Sequence, residues 1–293
     1  MTRPDLVSLL RHLVDKVCQP YIDLPNTQAV LSIGSVSYEI VDEYSDVDIA
    51  IYYDKLPSNR QLAEAMRKNG ADQLNWCLGD RNEGSLIESY DVFGVECQFA
   101  HTTIDAMDKH MNSVLVDLDV TSPFQKALSG VLAGRAIHGQ YLIDHFKARA
   151  SKYPDALQVA MVDKYFTIQP WWAIEARLAV RDAELWRAQA LVEGAQNLIG
   201  TLAGVNRLYF STFQFKRMSD FISQMQEKPA NLADRLTLVF EGGQGAAAEL
   251  RDLTAETLAI VERVVPTANT ASVRRALARE EKRWSADELS KHL

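Results

Sequence analysis

Apolar and polar positions follow different periods in the two parts of this chain. Before about residue 104, short strand-like runs are mixed with helical stretches; beyond it, nearly every periodic segment repeats at helical spacing. Leu6, Leu9, Leu10, Leu13 and Val14 recur behind Asp5, which predicts a capped helix to about Cys18, ended by Pro20 and Pro25. Ala29 to Ile33 is a short apolar run that stops at Gly34, the mark of a buried strand. Asp46 to Tyr53 opens with strict polar–apolar alternation, the period of a strand with one wet face. Ser58 opens a helix over Asn59 to Lys68 that Gly70 closes. Leu86 to Tyr90 and Val95 to Phe99 form a predicted hairpin through Asp91 to Gly94.

Helices then dominate. Thr103 precedes one through Met111, and Pro123–Leu132, Tyr141–Ala150 and Asp155–Phe166 follow, punctuated by Gly139 and Pro154. A long helical stretch is expected from Trp172 to Ile199, another after Thr201, and a third from Ala247 to Val264. Arg274, Arg275 and the Glu280–Arg283 charge run suggest a solvated C-terminal helix. The pattern predicts an α/β (α+β) fold: a mixed-sheet domain over 1–122, then an all-helical domain over 123–293.

Composition narrows the partners. The chain has 293 residues, 47% hydrophobic and 24% charged, ordinary for a globular protein. Its 31 Lys and Arg against 39 Asp and Glu give a net charge of −8. Such a chain lacks the field that draws a polyanion, so no nucleic-acid polymer and no membrane is expected as partner, whereas a cationic small molecule suits the sign. Cys18, Cys77 and Cys97 are odd in number and far apart, with no CxxC pair. Together with a start lacking an apolar signal region, they lead us to expect a cytoplasmic protein.

The stretch from Leu31 to Ile51 carries the candidate chemistry. Gly34-Ser35 follows one strand directly, and Asp46-Val-Asp48 opens the next. Residues two apart on a strand share a face, so both carboxylates project together while Val47 and Ile49 enter the core. Two such acids repel unless a cation lies between them, and a hard divalent ion such as Mg²⁺ takes oxygen ligands. Gly34 permits a sharp turn and close backbone approach. Its amide, the Ser35 amide and the Ser35 hydroxyl could hold phosphate oxygens.

Gly-Ser, a ten-residue spacer and Asp-x-Asp between apolar positions resembles the nucleotidyltransferase superfamily typified by DNA polymerase β. Size and layout resemble most its aminoglycoside and lincosamide antibiotic members. That resemblance implies a third carboxylate on a later strand, and Glu96 in Gly94-Val-Glu-Cys-Gln-Phe99 matches it, although the family more often has Asp there. It further implies ATP as donor, its triphosphate over Gly34-Ser35, and two Mg²⁺ ions on Asp46 and Asp48. Glu96 would then be either a third metal ligand or the base for an acceptor hydroxyl. A cation from the helical part would meet the pyrophosphate: Arg207 or Lys216, then Arg217, with Arg177 and Arg181 behind them. The implied reaction is transfer of AMP to a small hydroxylated acceptor, best an aminoglycoside-like antibiotic. The rival readings are nucleotidylation of a protein hydroxyl and a non-catalytic nucleotide-binding module. Oligomeric state stays open.

Other candidates have plainer readings. Trp171, Trp172 and Trp186 are expected in packing, and the histidines lack zinc-site spacing. Glu241 to Gly245 lacks the Lys-Ser/Thr of a phosphate-binding Walker loop and reads as a joint between helices.

Overall fold

The computed structural model describes residues 3–167, 170–178, 180–279 and 284–293; the Glu280–Arg283 charge run lies outside them. The architecture is α+β, a mixed sheet of six strands followed by helices. The chain divides into two compact units, Met1–Tyr153 and Pro154–Leu293.

In the first unit the strands are β1 (Thr27–Ile33), β2 (Val47–Tyr53), β3 (Trp76–Asp80), β4 (Ser85–Val92), β5 (Val95–Thr103) and β6 (Arg135–His138). They lie in the order β3-β4-β5-β2-β1-β6. β2 and β5 pair in parallel, and every other neighbouring pair is antiparallel. Helices α1 (Arg3–Ile22) and α3 (Asn59–Lys68) cover one face. There Val14, Val17 and Tyr21 of α1 and Leu62 of α3 pack with Ile49, Ile51, Tyr90 and Phe99 of the sheet. On the other face, α5 (Phe124–Ala133) and α6 (Gln140–Ala150) pack against β1 and β2: Gly130 lies by Ile33, and Phe146 meets Tyr52 edge-on at 5.0 Å.

Local chemistry explains several boundaries. Ser58 and Gln61 form a reciprocal capping box at the start of α3. Thr103 Oγ1 accepts from the Ala106 amide and starts α4 (Ile104–Leu115). Phe93 and Gly94, both at positive φ, make the two-residue turn between β4 and β5. α1 runs past Pro20, contrary to the expected end near Cys18; a proline in the last turn lacks an N–H and so removes one backbone hydrogen bond.

The division at Tyr153/Pro154 differs from the expected one at 122/123. Residues read as the start of a helical domain include β6, which hydrogen-bonds along β1, and α6, whose Phe146 meets Tyr52 of β2. Strand pairing ties that segment to the sheet.

The second unit contains α7 (Asp155–Tyr165), the short α8 (Trp171–Ala173), α9 (Glu184–Val205), α10 (Met218–Ser223), α11 (Leu232–Glu241), α12 (Ala246–Val264), α13 (Ala271–Leu277) and α14 (Ala286–Ser290). The single stretch expected from Trp172 is interrupted: a π-type turn over Ile174–Leu178 follows α8, and α9 starts only at Glu184. Gly200 and Gly204 let α9 approach α7 closely, since a β-carbon there would lie 2.7 Å from the Tyr165 ring and 2.6 Å from Met161 Cβ. Gly242 to Gly245 joins α11 to α12, as expected. Among the described residues no helix is long and apolar enough to cross a membrane.

Candidate active site

The Gly-Ser segment becomes a tight turn. β1 ends at Ile33, and Gly34–Ser37 form a single helical turn, α2, that Gly34 enters at φ +68°. Ser37 Oγ donates to the Ser32 carbonyl (2.7 Å), and the Tyr38 amide donates to the Gly34 carbonyl (3.2 Å). Tyr38 and Ser129 hydroxyls, 3.0 Å apart, tie the turn to α5. A β-carbon on Gly34 would lie 2.0 Å from Asp48 Oδ2. The turn and the second acid are therefore in direct contact.

Asp46 is delivered by a loop in which Asp42 Oδ1 accepts from the Tyr44 amide and Ser45 Oγ accepts from the Asp42 amide. Asp48 is the second residue of β2, paired with Ile33 on one side and Gln98 on the other. Both aspartates are half-buried, and between them Val47 is fully buried.

Glu96 lies one residue before the Val47–Cys97 pair on β5, as Asp46 does on β2. Across from it on β4 stands Asp91. Asp91, Glu96 and Asp46 thus form an acidic row across the sheet. Their charge is felt by Cys97: burial first, then Asp91, Glu96 and Asp46, push its thiol up to about 12.

Two residues further along runs a second row, Trp76–Ser89–Gln98–Asp48–Ile33, one residue from each of five strands. Its polar members reach back to the acids. Gln98 Nε2 donates to Asp46 Oδ2 (2.9 Å), and Ser89 Oγ and Trp76 Nε1 both donate to Glu96 Oε1 (2.5 and 3.0 Å). Ser89 is fully buried. No group of three or more His, Cys, Asp or Glu side chains that could hold a metal occurs among the described residues.

Ser35 Oγ is buried and finds no hydrogen-bond partner among the described residues. A buried hydroxyl without a partner costs free energy, and a ligand oxygen would relieve it. Two carboxylates on one sheet face, beside that hydroxyl and a glycine turn, are a donor set that fits a hard divalent cation with a phosphate.

Arg207 and Lys216 belong to the second unit. Arg207 follows α9 at φ +55° and donates to Asp155 and to Gln158 Oε1 (3.3 Å). Lys216 is exposed on the 3-10 segment Thr212–Arg217. Trp171 is buried and Trp172 lies under the Arg279 guanidinium, but Trp186, expected in packing, is 67% exposed.

Trp76, Ser89, Gln98 and Asp91 escape sequence reasoning as site residues. Gln98 shares the parity of Glu96, which was a usable signal. The others meet Glu96 only through strand register, which no local pattern encodes.

No protein-family model matches the chain, and no curated protein matches it in sequence. Among solved structures it is similar to a nucleotidyltransferase-like protein from Exiguobacterium sibiricum 255-15. Identity is 10%, covering 96% of this chain and 84% of that one, with a TM-score of 0.41.

Proposed function

We propose that this chain is a nucleotidyltransferase that moves a nucleoside monophosphate, AMP from ATP, to a hydroxyl of a small molecule. One observation carries the reading: Asp46 and Asp48 share a sheet face with the Gly34 turn, whose Ser35 hydroxyl is buried without a partner among the described residues. Asp46 and Asp48 would hold Mg²⁺. When bound, that ion supplies charge neutralisation for the triphosphate and acidifies the acceptor hydroxyl.

The chain's own groups do the rest. Gly34 lets phosphate oxygens approach the backbone, and Ser35 Oγ–H donates to one of them. Gln98 keeps the Asp46 carboxylate turned toward the sheet face. Glu96 takes the acceptor hydroxyl proton; the freed oxygen forms a bond to the α-phosphorus, and the α–β phosphoanhydride bond breaks. Pyrophosphate leaves with that electron pair. Positioning and charge placement provide most of the acceleration.

For the acceptor we favour a cationic, polyhydroxylated molecule of the aminoglycoside kind, supported by the Asp91–Glu96–Asp46 row and the net charge of −8. The test is incubation with ATP, Mg²⁺ and an aminoglycoside panel, read by mass spectrometry and pyrophosphate release. A nucleotidyl mass added to a drug supports the reading. Mass added to a protein instead overturns the acceptor class, and nucleotide binding without transfer overturns the reaction.

A further inference from the structure

Glu96 differs from the two aspartates in how it is held. Its Oε1 accepts two hydrogen bonds from two other strands: the Ser89 hydroxyl of β4 at 2.5 Å and the Trp76 indole N–H of β3 at 3.0 Å. Ser89 is fully buried and has a single hydroxyl proton, which it directs to this carboxylate. Trp76 and Ser89 are direct cross-strand partners, so the edge strand is registered to bring an indole over the same oxygen. β3 is otherwise exposed, with Leu78 at 64%, and Trp76 is its one half-buried side chain.

Placing a carboxylate beside Asp91 and Asp46 is electrostatically unfavourable. Two donors to one oxygen offset that repulsion and remove the rotational freedom of a side chain with three torsions. A group that must meet one hydroxyl proton needs that order, because misplacement by about 1 Å costs on the order of a hundredfold in rate. We infer that Trp76 and Ser89 are positioning residues that fix Glu96 for its part in the transfer reaction. This rests on the reading given under Proposed function.

The test uses the full chain with ATP, Mg²⁺ and the aminoglycoside panel, comparing wild type with Trp76→Phe, Ser89→Ala and Ser89→Thr. Trp76→Phe keeps an aromatic ring at this position and removes the N–H together with the rest of the pyrrole ring, so it is read beside Ser89→Ala, which removes the other donor. We expect kcat to fall about tenfold in Trp76→Phe and in Ser89→Ala, with the KM for ATP unchanged, and Ser89→Thr to recover most of it. In ¹H–¹⁵N spectra the indole signal that Trp76→Phe removes should move in Glu96→Gln. An indole signal indifferent to Glu96→Gln, or Trp76→Phe and Ser89→Ala turning over at the wild-type kcat, overturns this inference alone. No transfer by the wild-type chain overturns it together with the reading beneath it.

Discussion

Gly34 has no room for a β-carbon, because Asp48 Oδ2 already occupies the place where it would sit, at 2.0 Å. The backbone there is also left-handed, at φ +68°. Turn and carboxylate are therefore one object: the chain leaves β1 through a residue that must lack a side chain, and the acid of the neighbouring strand fills the space. Whatever binds Asp48 lies at the mouth of the α2 turn.

Gly34→Ala should accordingly damage both stability and chemistry. Left-handed backbone on a non-glycine residue costs about 1–3 kcal/mol, and relief of the contact requires Asp48 to move. We expect a destabilisation of that order in denaturant melts and a loss of transfer of at least about a hundredfold. Retained transfer in a destabilised protein would separate the turn from the site.

Asp46→Asn should do the opposite to stability. The side chain is half-buried, and removing its charge relieves repulsion while an amide oxygen still accepts from Gln98. Its melting temperature should hold or rise, whereas transfer should fall by at least about a hundredfold in Asp46→Asn and in Asp48→Asn. Wild-type turnover in either variant would refute the assignment of these acids.

The two aspartates were legible because strand parity and a glycine turn are local signals. So were the caps at Ser58 and Thr103 and the hairpin closed by Phe93 and Gly94. β3 was not, since its Cys77, Leu78 and Gly79 are all exposed and bury no alternating face. β6 is four residues long between two helices, too short to show a period. The support of Glu96 needs three strands in register, and that is fixed only when hydrophobic faces pack.

Beneath the site's sheet lies a buried polar network. Glu88 Oε1 accepts from Tyr21 (2.8 Å) and lies 3.2 Å from His101 Nε2, while Nδ1 of that ring meets the Tyr53 hydroxyl at 3.0 Å. Burial by itself raises the Glu88 pKa, but the His101 imidazole and then the Tyr21 hydroxyl outweigh it, leaving the carboxyl below its usual 4.5. A depressed folded-state value means that Glu88 contributes stability above about pH 4.5 and loses it as pH falls through the lower folded value. Glu88→Gln should destabilise the fold at neutral pH by about 1–3 kcal/mol, because it disturbs a buried acceptor that the Tyr21 hydroxyl depends on. In urea melts at stepped pH, the gap between wild type and Glu88→Gln should narrow below pH 4.5. A gap that stays constant there would contradict the depressed value.

The boundary between the units can be tested by truncation. β6 covers the edge of β1 through Val30, Leu31 and Ser32, and α6 follows it through Gly139, at φ +68°. A β-carbon at Gly139 would lie 2.0 Å from the Gln28 carbonyl, so this junction is built against β1. Ile143 and Phe146 of α6 are fully buried, and Phe146 packs on Tyr52. A chain ending after Ala150 to Tyr153 keeps all of this, and should show a cooperative thermal transition with dispersed amide signals. A chain ending at Ser122 leaves β1 as an unpaired edge and strips apolar cover from Leu31 and Tyr52, which invites edge-to-edge association. It should aggregate or melt without cooperativity. Equal behaviour of the two truncations would show that the sheet does not need β6 and α6, and would return the boundary to residue 122.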